Sequence, residues 1–275
     1  MKSAWKVLKE QISSFYLIRR LSLYELKSEN NSNYLGMLWV IINPMIQICI
    51  YWFVFGKIIG HGPVPLSGQI IPYVWWLISG IFVWFFINPS ITAGARSIYQ
   101  RIRFIAKMNF PMSTIPSFVI FAKFYQHLWL TVIILFILQF TDYKISPYIV
   151  QLPYFMFATL AFLISVSLVT SALTTVVRDL QQVIVSIMRM MIYLTPFLWS
   201  PERLEKSLPP FFHTVMLLNP MYYIAEGYRA SMLGLSWYGI DHIKYTVYFW
   251  AFVAVVFIFG SIIHVKFRDH FVDYL

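Results

Sequence analysis

Charge is what this sequence has least of. Of 275 residues, 12% are charged and eleven are acidic, where soluble domains carry about a quarter charged residues. Cysteine is nearly absent: Cys49 stands alone in an apolar run, which excludes a disulfide framework and a Cys-based metal site. No G-x-x-x-x-G-K-[ST] string occurs, so the chain has no P-loop with which to bind ATP. There is no H-E-x-x-H, and the six histidines form no ligand cluster. The first 20 residues interleave Lys2, Lys6, Lys9 and Glu10 with apolar residues and lack the uninterrupted apolar run of a cleavable signal.

What is abundant is apolar surface. Hydrophobic residues make up 59% and aromatics 19%, with ten Trp, as expected where many rings sit at membrane–water interfaces. Six segments are long and apolar enough to cross a hydrocarbon core of about 30 Å: near 35–59, 70–94, 113–140, 148–177, 181–199 and 245–265. The sequence therefore predicts an all-α integral membrane protein of six transmembrane helices. Residues 1–34 precede the membrane domain 35–265, and 266–275 form a tail. Pro44 lies inside the first span, where neighbouring helices can satisfy the freed carbonyl. Gly62-Pro63-Val64-Pro65 and Leu208-Pro209-Pro210 fall between spans.

A net charge of +10 raises nucleic acid as a partner, but its distribution favours a topology signal. With both termini cytoplasmic, 13 Lys/Arg lie inside: six before the first span, Arg96, Arg101, Arg103 and Lys107 in the second–third loop, Arg178, Lys266 and Arg268. Six lie outside: Lys57, Lys144, Arg203, Lys206, Arg229 and Lys244. That asymmetry is the positive-inside pattern of a multi-pass protein.

Ahead of the first span, Trp5, Leu8, Ile12 and Phe15 repeat at intervals of three and four, with Lys2, Lys6, Lys9 and Ser13 on another face. This predicts an amphipathic helix in the membrane interface, or one packed on a soluble partner. The stretch 200–244 is too long for a turn and too apolar for a solvated loop. Phe211–Leu218 and 221–235 flank Asn219-Pro220 and read as two short segments dipping into the outer leaflet; a further pair of spans is the competing reading.

Two cations fall within spans. Lys123 lies about ten residues into the third, roughly 15 Å deep at ~1.5 Å per residue, with His127 one turn further on the same face. Arg189 is comparably placed in the fifth, followed by Tyr193. Such charges cost about 2.5–3.5 kcal/mol even on a lenient scale, so they face the bundle interior or water. They either meet an anionic substrate or bond backbone carbonyls and snorkel. Trp129, with Trp75, Trp76, Trp84, Phe85, Phe86 and Tyr125, either presents ring faces to sugars or packs helices. All eleven acidic residues can be placed in loops or tails, which disfavours an ion-coupled carrier. A membrane glycosyl or phosphoglycosyl transferase would need carboxylates gathered at the interface, often with a metal; here they are scattered.

The second–third loop (95–112) joins a short basic amphipathic helix to a proline stop. Joined rigidly to two spans, it can carry a push from a partner into the membrane, or contact anionic lipid.

Several strings resemble, in order along nearly the whole chain, the ABC-2 type permeases that export polysaccharides and polyol phosphates. These are Tyr34-Leu35-Gly36, Trp39 and Asn43-Pro44; Lys107-Met108-Asn109-Phe110-Pro111; Arg178-Asp179-Leu180; and Leu218-Asn219-Pro220-Met221. Ile50-Tyr51-Trp52-Phe53-Val54-Phe55-Gly56 and Ile120-Phe121-Ala122-Lys123-Phe124-Tyr125-Gln126-His127 are similar to the wall teichoic acid branch found in Gram-positive bacteria. The resemblance implies a homodimer in the bacterial cell membrane, working with two copies of a separate P-loop ATPase that carries ATP and Mg. This chain would bind no cofactor itself. The cargo would be a lipid-pyrophosphate-linked glycopolymer. It also implies an ATPase-coupling role for Arg96, Arg101, Arg103, Phe104 and Lys107, and an outer gate containing Asn219, Pro220, Glu226 and Arg229. Lys123, His127, Arg189, Tyr193 and Trp129 would then border the substrate pathway.

Overall fold

The computed structural model describes residues 2–30, 34–105, 111–201 and 209–267, apart from the side chains of residues 30, 102–105, 210 and 213. Two helices open the chain, α1 (Lys2–Ser13) and α2 (Phe15–Asn30). The apolar positions that suggest an interfacial helix are real, and Trp5 and Ile12 remain outward on α1. Ser113 donates a hydroxyl hydrogen bond to Glu10, and Gln11 donates to the Ser113 carbonyl at 2.8 Å, so α1 is pinned where the third span begins.

A 3₁₀ turn leads into α3 (Trp39–Tyr51), which continues as a π-helix over Trp52–Ile58. Pro44 removes one donor inside α3 without ending it. A β-hairpin follows, β1 (Val64–Leu66) against β2 (Gln69–Ile71), paired Val64 to Ile71. Its two-residue turn, Ser67-Gly68, has φ of 51° and 78°, the positive values that a tight hairpin of native twist needs and that glycine supplies at least cost. The proline-rich linker thus holds a hairpin, whose second strand takes up the first residues of the expected second span, 70–94.

Next come α4 (Tyr73–Ala95), α5 (Ser97–Ile105), α6 (Ile115–Leu138) and α7 (Leu152–Val176). The α4 helix is apolar all round and buried over most of its length, as such a helix must be. It forms the centre against which α6, α7 and later elements pack. Near the α5 end, Ile18, Ile98, Ile115, Phe118 and Ala172 make a second, smaller core.

The fifth apolar helix differs from expectation. It runs as α8 (Leu180–Leu194), 15 residues rather than a span reaching position 199. At ~1.5 Å per residue that is about 22 Å, short of the hydrocarbon thickness. Pro196 accounts for the stop, since it forces the preceding residue out of the helical region; Thr195 sits at φ −82°, ψ 134°. Among the described residues, five helices are long and apolar enough to cross a membrane, and α8 is the shorter sixth.

The two short segments expected before the last span are α9 (Pro210–Leu218) and α10 (Pro220–Leu233). At 9 and 14 residues neither spans a bilayer, which removes the eight-span alternative. A turn of helix, α11 (Tyr238–Asp241), precedes α12 (Ile243–Phe267). A hydrogen-bonded chain ties these elements together: Trp250 donates to Tyr154 at 2.9 Å, Tyr154 and Tyr223 share a bond of 3.1 Å, and Tyr223 reaches Thr246 at 2.9 Å.

Candidate functional site

Between α3, α4 and α6, with the end of α2 at its rim, lies a cavity of about 820 Å³. Its wall is polar for a membrane protein. Asn43 and Gln47 come from α3, Asn88 from α4, Lys123 and Gln126 from α6, and Glu29 from α2. Trp39, Trp84 and Phe85 supply ring surface. Asn43, Gln47 and Asn88 spend no side-chain hydrogen bond on the described protein and remain available to a ligand. Amide groups with aromatic faces suit hydroxyl-rich ligands, since amides both donate and accept while rings cover the apolar faces of sugars.

Lys123 is where the sequence places it, on the third span, but its partner comes from a residue expected in the N-terminal linker. Its ammonium donates to Glu29 Oε2 at 2.5 Å, and Gln126 shares the same oxygen at 3.4 Å. Glu29 lies ahead of the first span, as the sequence places it, but α2 packs along α6 and brings its carboxylate to Lys123. His127 borders the cavity with its back in the core. Its ring stacks between Phe82 and Phe86, with centroids at 5.0 and 4.8 Å, and Nε2 lies 3.1 Å from the Tyr228 hydroxyl.

The other residues expected along a substrate pathway lie elsewhere. Trp129 is exposed on the α6 face toward α2 and the turn before α3. Arg189 and Tyr193 are exposed on α8 and line none of this cavity. The single protomer therefore brings Lys123 and His127 together and leaves Arg189, Tyr193 and Trp129 on outer surfaces.

The residues assigned to an outer gate are structural ties in this protomer. Asn219 accepts from the Met221 amide at 3.0 Å and donates to Thr195 at 2.7 Å, while Pro220 takes the first helical position. Both are helix-start chemistry, an N-cap followed by a proline whose missing donor costs nothing there. Glu226 and Arg229 are buried as an ion pair. Arg229 lies 3.9 Å over the Trp76 ring and donates to the Pro196 carbonyl at 2.7 Å. One guanidinium thereby fastens α4, the end of α8 and α10. Gly80 makes room for it: a Cβ there would collide with the guanidinium. Sequence reading missed this knot, because Arg229 carries no periodic or motif signal of burial.

Of the residues expected to couple to an ATPase, Arg96 sits exposed in the turn between α4 and α5. Arg101 pairs with Glu25 of α2 and lies 5.5 Å over the Phe118 ring. Arg103 and Phe104 belong to α5, but their side chains lie outside the described residues, as does all of Lys107.

A family model for the ABC-2 type transporter matches residues 16–233, from α2 through α10. Two O-antigen export system permease proteins RfbA of Klebsiella pneumoniae are each 28% identical over 224 residues, covering 81% of this chain and 79% of theirs. A protein of the same name from Myxococcus xanthus is 22% identical over 207 residues, covering 75% of this chain and 76% of its own. Apolar spans, short intervening helices and a match across most of its length agree: the chain belongs to the ABC-2 type transporter family.

Proposed function

We propose that this chain is the permease subunit of an ATP-driven exporter. It carries a lipid-linked anionic cell-surface glycopolymer from the cytoplasmic to the outer side of a bacterial membrane, with wall teichoic acid as the finer assignment. The observation that carries this reading is the cavity of amide side chains and indole faces beside Lys123. Amides match sugar hydroxyls, ring faces match sugar rings, and the lysine matches phosphate. The positive-inside distribution favours a cytoplasmic placement of the 95–112 loop and both termini, and Arg96, Arg101, Arg103, Phe104 and Lys107 of that loop would meet a P-loop ATPase that supplies ATP and Mg.

Two copies complete the path. Of the α3 residues only Pro44 is buried in the protomer, Met45, Ile46 and Ile50 are outward, as is Phe53 in the π-helix that follows, and α8 turns Arg189 and Tyr193 outward. A second protomer on those faces would place Arg189 and Tyr193 near the open side of the cavity. Asn219, Pro220, Glu226 and Arg229 hold the outer end rigid rather than touching cargo.

A second cargo, O-antigen, is favoured by the names of the relatives, and the same amide-and-indole wall serves it. Depleting the chain and assaying the cytoplasmic fraction tests the proposal: polymer on its lipid carrier accumulates inside. Its backbone decides between the two, polyol phosphate for teichoic acid and polysaccharide for O-antigen. Normal surface polymer after depletion would refute both.

A further inference from the structure

Lys123 and Glu29 form an ion pair whose two members both reach the polar cavity, with side chains 14% and 30% exposed. Replacing a partly buried pair of this kind by apolar residues is commonly neutral or stabilising, so stability alone gives little reason to keep it. The bond also leaves donors in excess. An ammonium has three N–H groups, yet among the described residues Lys123 has one acceptor, Glu29 Oε2, and shares it with Gln126. The amides of Asn43, Gln47 and Asn88 stand around the same space and make no side-chain hydrogen bond among the described residues. The donors here outnumber what one carboxylate oxygen satisfies.

From this arrangement we infer that Glu29 is an exchangeable counter-ion, and that Lys123, Gln126 and Asn88 form a binding site for a phosphate ester, which displaces the carboxylate on entry. The inference rests on the export reading for its ligand class. A phosphate group brings more strong acceptor oxygens than the two of a carboxylate, of which only Oε2 is engaged here, so it satisfies more of the waiting donors. Lys123 keeps an anionic partner throughout, since the phosphate takes the place of the carboxylate beside it. The displaced carboxylate loses nothing it cannot recover from water, because it stands near the end of α2 at the cavity rim. Glu25, one turn earlier on the same helix, pairs with Arg101 of α5. The helix freed at one ion pair is thus still joined to α5 at the other.

The test uses the full-length permease in nanodiscs of phosphatidylcholine, without ATPase or polymer, titrated with pyrophosphate by calorimetry. Glu29→Gln removes the competing anion and is expected to tighten binding at least tenfold. Lys123→Gln is expected to abolish it and Lys123→Arg to retain it, which separates a lost site from a misfolded chain. Glu10→Gln, a carboxylate outside the cavity, serves as control and binds as the parent does. Hydrogen exchange over residues 24–30 is expected to rise when pyrophosphate is added to the parent protein and to stay unchanged in Lys123→Gln. Equal affinity of parent and Glu29→Gln, undiminished binding to Lys123→Gln, or binding that leaves α2 exchange unaltered would each overturn the inference. Phosphatidylglycerol in the nanodisc identifies the phosphate source: competition with pyrophosphate points to a lipid headgroup, and its absence to the cargo. Because no transport is measured, this site can fail while export stands, and export can fail while the site stands.

Discussion

At the scale of single residues, the most consequential side chain is Arg229. A buried guanidinium is tolerated when it is paired, and here it has a carboxylate, a carbonyl and an indole face. Removing the cation takes from the buried Glu226 carboxylate its ion-pair partner and leaves its charge in the interior. Arg229→Met should therefore destabilise the protein by about 3–5 kcal/mol, while the double variant with Glu226→Gln recovers much of the loss. Thermal unfolding in detergent, followed by fluorescence-detected size exclusion, measures both. Gly80→Ala should cost about 1–3 kcal/mol in the same assay, because its methyl group enters space the guanidinium occupies. Asn219→Ala should cost about 1 kcal/mol through the lost cap. The sequence announced Asn219-Pro220 as a boundary, since both residues act within one turn of chain. It could not announce the Arg229 knot, whose parts come from positions 76, 80, 196, 226 and 229.

Among elements, the one that sequence reading undervalued is α2. A basic, mildly amphipathic stretch before the first span looks like an interfacial anchor, and α1 fits that description. The α2 helix instead leans along α6, with Phe15 against Phe121 at 5.9 Å and Glu25 and Glu29 held by Arg101 and Lys123. Long-range ion pairs leave no local pattern, so neither was legible. The short α8 was, in principle: Pro196 marks its end as plainly as Ser67-Gly68 marks the hairpin. If α2 links the α5 end to the cavity, reversing one charge should uncouple them. Glu25→Arg should lower polymer moved per ATP severalfold without a matching loss of ATP hydrolysis. The reciprocal swap with Arg101→Glu should restore the ratio. Loss of both activities together in the single variant would make the pair merely structural.

For the whole molecule, composition already dictated a membrane protein, and the apolar runs located five of its long helices to within a few residues. On the proposed dimeric reading, one chain supplies half of the pathway. The exposed residues of α3 and the outward Arg189 and Tyr193 would then be the surfaces on which a second protomer packs. Native mass spectrometry should find two 32.4 kDa chains together, with the P-loop ATPase added when co-expressed. The most direct measurement reconstitutes permease and ATPase in proteoliposomes loaded with lipid-linked polymer on the cytoplasmic face. Polymer should become accessible to an added degrading enzyme on the far side only when both subunits and hydrolysable ATP are present. Movement by the permease without its ATPase, or sustained ATP hydrolysis by the assembled complex with no polymer crossing, would contradict the account.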